Sequence, residues 1–407
     1  VIAQHRRRPS PAIRHARPTR RRVLRGVALG VTTVLLATVS AAAAYVGVLD
    51  SGIDRIGDVD ALVQPIEGDD EPVDAMAGSA LNILVLGSDD RSGANRDLGG
   101  EAEGMRSDTA ILLHIAADRS RAELVSIPRD SLVEIPSCTM TDGSTSAARS
   151  QTMFNEAYAI GADQGGDLES AVACTINTVQ QNTGLRVTDS VVVDMNGFVQ
   201  MIDALGGVRM CLSEPVDSPK AGLSLAAGDQ TLDGRTALAF ARARYNVGDG
   251  SDTSRVGRQQ QMLAAVFDEL LGKDVLSDAG QLLSFGRAAT SALSMSERLT
   301  SLPNLAGLAT SLRGLGAEDV TFTTVPWTLA PQNKARVVWT EKADILWANL
   351  AADRPMLAGT ADDTGTPSTA PSDPAGGDPD AGTPSGPATR DAGAEPFTAG
   401  DTTTFSC

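Results

Sequence analysis

Acidic side chains and arginines alternate at three places where short apolar runs begin or end. Gly87-Ser88-Asp89-Asp90-Arg91 follows the run at 81–86, Arg106-Ser107-Asp108-Thr109 leads into the run at 110–115, and Pro128-Arg129-Asp130 closes the run at 123–127. A second group lies further on: Arg242-Ala243-Arg244, then Asp252, Arg255, Arg258 and Gln259. A carboxylate pair such as Asp89 and Asp108 suits Mg²⁺, which takes few protein oxygens and leaves its other positions to water and phosphate. Guanidinium groups stay charged and bind phosphate oxygens in bidentate fashion. Clustered cations cost free energy unless an anion neutralises them, so this set of residues is expected to hold a pyrophosphate. On extended chain Arg242 and Arg244 share a face. On a helix Arg255, Arg258 and Gln259, at i, i+3 and i+4, do the same.

Each of these residues also has a plainer reading. A single arginine is more often a solvated cation or half of an ordinary ion pair. Asp130 fits a partner for Arg129 or a helix cap, Asp252 an N-cap for a helix starting at Ser254, Gln259 helix surface, and Asn155 a turn or cap. Two histidines, His5 and His15, lie in the basic N-terminal tip, and His114 sits in an apolar run as a core residue. No Ser/His/Asp or Cys/His nucleophile set is present, and no P-loop.

The elements that must position these residues alternate in type. Residues 81–86 (LNILVL), 110–115, 123–127, 190–194, 208–212 and 319–325 read as strands, with 116–121 joining the second to the third as a hairpin or close neighbour pair. Residues 168–183 have helical spacing and stop at Gly184, and 197–205 stop at Gly206-Gly207. Residues 232–243 and 254–271 complete the set of helices. Strands interleaved with helices predict an α/β fold whose sheet is covered on both faces, and ligand sites in such sheets gather at strand ends.

Composition places this domain outside the cell. Residues 26–49 are 24 residues without a charge, enough helix to cross a hydrocarbon core of about 30 Å. Nine arginines and no acid or lysine precede them, which keeps residues 1–25 in the cytoplasm. A cleaved signal peptide is the other reading, with a small-residue site at Ala41-Ala42-Ala43, but its apolar core is usually only about 7–15 residues long. The chain carries −17 and its first 25 residues +9, which leaves −26 on the remainder. An acidic exported body is not a nucleic-acid binder. Four cysteines, Cys138, Cys174, Cys211 and Cys407, fit an oxidising compartment. They allow three pairings, of which Cys138–Cys174 with Cys211–Cys407 is favoured. Residues 50–78 read as an acidic stalk, 79–355 as the folded domain, and 356–407 as a Pro/Gly/Thr tail. The tail lacks the apolar content to fold across 361–395, whereas its end, 396–407, regains Phe397, Phe405 and Cys407 and is expected to be stapled back.

Taken in order, LNILVLGSDDR (81–91), RSDT (106–109), SIPRD (126–130), NEAYA (155–159), LGGV (205–208), GDQTLDGRTALA (228–239), Arg242–Arg244 and RVGRQQ (255–260) resemble the LytR-CpsA-Psr family over about residues 80–350. The resemblance implies an α/β/α sandwich with a central mixed sheet behind an N-terminal transmembrane helix. It implies a phosphotransferase that moves a glycopolymer, with one phosphate, from a polyprenyl-pyrophosphate lipid to a cell-wall acceptor, usually a peptidoglycan hydroxyl, with the lipid tail in a long apolar pocket that the helices at 256–271 and 275–293 would line, positions that equally read as plain core. By position, Asp89 and Asp108 would hold Mg²⁺ (or Mn²⁺). Arg91, Arg106, Arg129, Arg242, Arg244, Arg255, Arg258 and Gln259 would grip the pyrophosphate. Asp130 and Asp252 would orient arginines or assist proton removal. One departure is Met153, where the family often has a basic residue. Two further readings stand beside transfer: a protein that binds lipid-pyrophosphate glycans without turnover, and a pyrophosphatase without wall ligation. A transcriptional role, which the family's name suggests, is weak, because the 25 cytoplasmic residues contain no helix-turn-helix.

Overall fold

Side chains along β2 (Leu81–Ser88) alternate between two cores. Leu84 and Leu86 enter one, and Leu81 and Ile83 enter the other. A strand buried on both faces belongs at the centre of a sheet, and β2 is central in this computed structural model. The structure describes residues 54–57, 59–66, 78–90, 95–99, 105–212, 214–243, 252–272, 292–300, 302–359 and 396–404. The chain divides into two units, Val1–Ser51 and Gly52–Cys407, of which the first, with the expected span at 26–49, lies outside the described residues. Among the described residues no helix is long and apolar enough to cross a membrane.

The main sheet has eight strands in the order β1 (Asp54–Arg55), β12 (Leu293–Met295), β7 (Asp189–Val193), β2, β3 (Ser107–Ile115), β4 (Ala122–Ile127), β13 (Val320–Thr324), β16 (Phe397–Thr398). It is mixed: β2 runs antiparallel to β3 and parallel to β7, and β4 runs antiparallel to β3 and parallel to β13. The expected hairpin at 116–121 joins β3 to β4, closed by the Ala116 N–H donating to Arg121 O at 3.1 Å. One face packs on α2 (Glu156–Gly165), α3 (Leu168–Thr183) and α9 (Glu341–Ala351), through Tyr158, Val172, Val179, Leu346 and Trp347. Gly161 lets α2 lie directly on α3, because a Cβ there would run into the backbone of Ser170 and Ala171. The other face packs on α6 (Asp252–Gly272) beside β3 and β4, and on α7 (Glu297–Thr300) and α8 (Leu302–Ser311) beside β2 and β12. The expected three-layer arrangement is therefore present.

A smaller apolar cluster sits against α6. It is built from α4 (Met195–Ala204), the ribbon of β8 (Val208–Leu212) with β11 (Gly228–Leu232), the ribbon of β9 (Val216–Ser218) with β10 (Leu223–Leu225), and α5 (Gly234–Arg242). Two more ribbons, β5 (Leu132–Ile135) with β6 (Arg149–Met153) and β14 (Trp327–Ala330) with β15 (Asn333–Trp339), extend the sheet end, and α1 (Arg96–Gly99) follows β2.

Two boundaries differ from the sequence reading. The expected stalk at 50–78 contributes β1 to the sheet, parallel to β12, and Ile56 and Val59 are 1% and 5% exposed in the main core. Their apolar side chains outweigh the acids around them. Folded structure runs past the expected domain end at 355; the expected disorder at 361–395 lies outside the described residues, and the end of the tail, expected to return to the domain, packs on it. Met356 is buried, and Phe397 stacks on Phe322 with ring centroids 5.3 Å apart while β16 covers the edge of β13. Cys138 and Cys174 form a disulfide, and Cys211 is also disulfide-bonded; Cys407 lies outside the described residues. His114 is a core residue, as expected, and a hydrogen-bonded one. Asn82 Nδ2 donates to Arg186 O, which turns Oδ1 toward His114 Nδ1 at 2.7 Å, and His114 Nε2 faces Asp353 Oδ1 at 3.1 Å.

Two stability predictions follow from this packing. Replacing Cys138 and Cys174 with Ala should lower the unfolding free energy by about 2–4 kcal/mol, since the bridge closes a long loop. A urea midpoint equal to wild type would rule this out. Burial pushes the His114 imidazole below its ordinary value of 6.5, with Asp353 and Glu123 opposing and Arg121 adding. A depressed folded pKa means the unfolded chain binds more protons, so this contribution is complete above the unfolded value and is lost as pH falls below it. His114→Gln should flatten the slope of melting temperature between about pH 7.5 and pH 5. An unchanged slope would show that another group sets it.

Candidate active site

Three strand ends and one helix start meet at one edge of the main sheet. β2 delivers Asp89, the start of β3 delivers Asp108, the end of β4 delivers Arg129 and Asp130, and the first two turns of α6 deliver Asp252, Arg255 and Gln259. The antiparallel pairing of β2 and β3 sets Asp89 beside Arg106, whose carbonyl accepts from the Asp89 N–H at 2.7 Å. A register shift at Ser88 opposite Ser107 brings Asp108 to the rim.

The core of the site is a closed ring of two carboxylates and two guanidiniums. Asp108 Oδ1 accepts from Arg129 Nη1 at 2.8 Å, and Asp108 Oδ2 meets Arg255 Nη1 at 3.3 Å. Asp252 Oδ1 meets Arg129 Nε at 3.0 Å and Arg255 Nη2 at 2.8 Å. Arg255 also donates to the Asp108 carbonyl at 3.1 Å, and only 4% of its side chain is exposed. To one side Arg242 Nη2 reaches Asp89 Oδ1 at 3.3 Å, while its Nη1 donates to Leu98 O and Met195 Sδ. To the other side Arg336 of β15 lies 3.6 Å from Asp130 Oδ1. Burial pushes the Asp130 carboxyl above the usual carboxylate range; the charge of Asp252 adds to this, and Arg129, Arg336 and Arg255 oppose it. Among the described residues joined by these ion pairs, four aspartates (89, 108, 130, 252) meet four arginines (129, 242, 255, 336).

The expected residues come together unevenly. Asp89, Asp108, Arg129, Asp130, Arg242, Asp252 and Arg255 converge, and Gln259 joins them by donating to Thr109 Oγ1 at 2.9 Å. The guanidinium of Arg106 does not: it pairs with Asp163 of α2 at 3.0 Å, where both side chains are about half exposed. Arg258 is fully buried, donates to Ser254 Oγ at 2.8 Å and to Ala243 O, and ties α6 to the segment that carries Arg242. Arg242 is not on extended chain, because it ends α5; Arg91 and Arg244 lie outside the described residues. Asp252 is itself the first residue of α6 and acts by ion pairing. Asn155 precedes α2 without a side-chain cap, and its N–H donates to Arg129 O at 3.2 Å. Most of the second helix expected to line a lipid pocket, 275–293, lies outside the described residues.

Three residues here escaped the sequence reading. Arg336 lies in a late ribbon with no acid near it in sequence. Gln260 is buried and ties α6 to β4 and β13 through Ser126 Oγ, Thr323 O and Thr324 Oγ1. Tyr158, fully buried in the NEAYA segment, has its phenol pushed up by burial, with Ser88 and Asp90 as polar neighbours.

For a metal, the donors at this edge are carboxylate oxygens, the type Mg²⁺ and Mn²⁺ take. Asp89 and Asp108 lie on adjacent strand ends, and each already holds a guanidinium. No group of three or more His, Cys, Asp or Glu that could hold a metal exists among the described residues. A metal resting on two carboxylates therefore fits only if substrate and water oxygens complete its shell.

The chain is thus a three-layer α/β domain with an arginine–aspartate network at its sheet edge. A sequence profile of the LytR_cpsA_psr family matches residues 62–351, and the chain belongs to that family. It is 31% identical over 268 residues to the cell wall biosynthesis protein LcpA of Corynebacterium glutamicum, covering 62% of this chain and 51% of LcpA. It is 33% identical over 240 residues to the polyisoprenyl-teichoic acid–peptidoglycan teichoic acid transferase TagU of Oceanobacillus iheyensis, covering 59% of this chain and 67% of TagU. The matched region thus spans about half the length of LcpA. The crystal structure of B. subtilis TagV shares the fold, at 22% identity and a TM-score of 0.51 over 69% of this chain and 100% of TagV.

Asp252 holds two guanidiniums at once, so Asp252→Asn should destabilise the ligand-free protein by about 3–5 kcal/mol, the range for breaking a buried ion pair. Inorganic pyrophosphate should recover more melting temperature in this variant than in wild type, because the anion replaces the lost charge. Equal recovery in both proteins would show that anions bind elsewhere.

Proposed function

We propose that this protein is a membrane-anchored, extracytoplasmic phosphotransferase that moves a glycopolymer, with one phosphate, from a polyprenyl-pyrophosphate carrier to a hydroxyl of the cell wall. The observation that carries this reading is the ring of Asp108, Arg129, Asp252 and Arg255 at the sheet edge of a LytR_cpsA_psr domain. The similarity to LcpA, a cell wall biosynthesis protein, and to TagU, a teichoic acid transferase, supports the substrate class. The uncharged run at 26–49, with its basic flank, supports the anchor and the orientation.

The chemistry is a phosphoryl transfer, in which positioning and charge neutralisation do most of the catalytic work. The acceptor oxygen bonds to the phosphorus that carries the glycan. The bond from that phosphorus to the bridging oxygen breaks, and polyprenyl phosphate leaves with the electron pair. Arg129, Arg242 and Arg255 hold the non-bridging oxygens, and the proton of the acceptor hydroxyl passes to Asp130, whose raised pKa suits a base. A Mg²⁺ ion on Asp89 and Asp108 would supply counter-charge to the pyrophosphate.

The test is a transfer assay with the full chain in detergent micelles, Mg²⁺, a polyprenyl-pyrophosphate glycan and peptidoglycan. A phosphodiester-linked product is expected, and Arg129→Ala or Asp89→Ala should slow its formation by about 10²–10³-fold, the scale for losing one preorganised electrostatic contact. Wild-type rates in both variants would overturn the assignment. Release of free glycan phosphate without ligation would make the protein a pyrophosphatase, and lipid binding without either product would make it a carrier-binding protein.

A further inference from the structure

A cavity of about 530 Å³ opens beside Arg242, between α5, α1 and the turn joining β9 to β10. Small-molecule sites usually span about 300–1,000 Å³. The wall from α5 presents Arg235, Leu238, Ala239 and Arg242, at i, i+3, i+4 and i+7, so one face of the helix lines the space. The opposite wall is Ser218, Lys220 and Gly222, and Asp97 and Leu98 of α1 close the remaining side. Arg242 belongs to both places, since its guanidinium reaches Asp89 on one side and lines this cavity on the other.

The lining is chemically mixed. Among the described lining residues, Lys220, Arg235 and Arg242 are cations, Asp97 is an acid, and Leu238 and Ala239 offer an apolar strip. Ser218 is 1% exposed and lines the cavity wall, and its hydroxyl has no hydrogen-bond partner. A buried hydroxyl left unpaired costs free energy, which a ligand offering a polar group recovers. Cations suit a phosphate or carboxylate, Asp97 and Ser218 suit ring hydroxyls, and the apolar strip suits the C–H face of a sugar.

We infer that this cavity is a subsite for an anionic saccharide, placed so that a sugar bound there keeps its phosphate within reach of Arg242. The inference rests on the transfer reading for its role, while the binding itself stands apart from turnover. The saccharide is either the first sugar of the donor polymer or part of the wall acceptor.

Glucose 1-phosphate is the probe. Titrated calorimetrically into the full chain in micelles, it should bind at least tenfold more weakly to the variant carrying Lys220→Glu and Arg235→Glu than to wild type. Arg149→Ala, which removes an exposed cation that is part of neither the ring nor the cavity, should stay within about twofold. Ser218→Ala, a smaller change at a buried position, should weaken binding severalfold and guards against misfolding of the double variant. Binding lost in Arg129→Ala but kept in the double variant would place the probe on the arginine ring and overturn the subsite. In the transfer assay, a raised KM for the glycan donor alone would assign the cavity to the donor, and a raised KM for peptidoglycan alone to the acceptor. Wild-type KM for both would overturn its role. If the wild-type chain transfers nothing while the double variant still loses glucose 1-phosphate, the cavity stands and the proposed reaction falls.

Discussion

The ring formed by Asp108, Arg129, Asp252 and Arg255 joins parts of the chain far apart in sequence: the start of β3, the end of β4 and the first turn of α6. Its members are mostly buried, with side-chain exposures from 4% to 36%. A charge removed from water is tolerable only where partners satisfy it, and each ion here has two. Removing one member strands two others, so the ring sets where α6 begins relative to the sheet.

Much of the remaining structure follows from that placement. Gln260, one residue past Gln259, docks α6 on β4 and β13 through its Nε2, which faces Ser126 Oγ, Thr323 O and Thr324 Oγ1. From there α6 runs between two cores, giving Met262 and Ala265 to the cluster of α4, α5, β8 and β11, and Ala264 with Phe267 to the cluster beneath β3 and β4. Arg258 holds Ala243, so the end of α5 and with it Arg242 are carried to Asp89. One helix thus registers the smaller cluster against the main sheet and delivers a guanidinium from each.

The elements were legible where local pattern and burial agree. The helix at 168–183 was read with its bounds, because Gly184 adopts the left-handed conformation that ends it, at φ 66°. The central strands were read within a few residues, since both faces of β2 are apolar. Pairing of charges was not legible. Arg106 stands three residues before Thr109 in a segment that otherwise enters the site, yet it turns to Asp163 on α2, a choice made by tertiary neighbours. Arg258 shares a helical face with Arg255 and Gln259 on paper, but its guanidinium goes to a backbone carbonyl. Arg336 reaches Asp130 through tertiary structure alone, because β15 bridges at Val337 to Ser131, next to Asp130. The edge strands β1 and β16 are two residues each, too short for any periodicity, and they rest on single side chains such as Ile56 and Phe397.

The structure also changes the electrostatic argument for an anion. Arginines gathered at one edge suggested an unmet positive charge waiting for a pyrophosphate. Among the described ion pairs, aspartates instead match arginines four to four, so the described arginines of this edge already face carboxylates. A pyrophosphate entering such a place must displace carboxylates from guanidiniums or arrive with positive charge of its own. Both demands are met if Asp89 and Asp108 exchange their arginines for a divalent cation while those arginines turn to the phosphate oxygens. The same carboxylates would then keep the guanidiniums ordered before the substrate arrives and hold its counter-ion afterwards, which limits the reorganisation needed when charge develops in transfer.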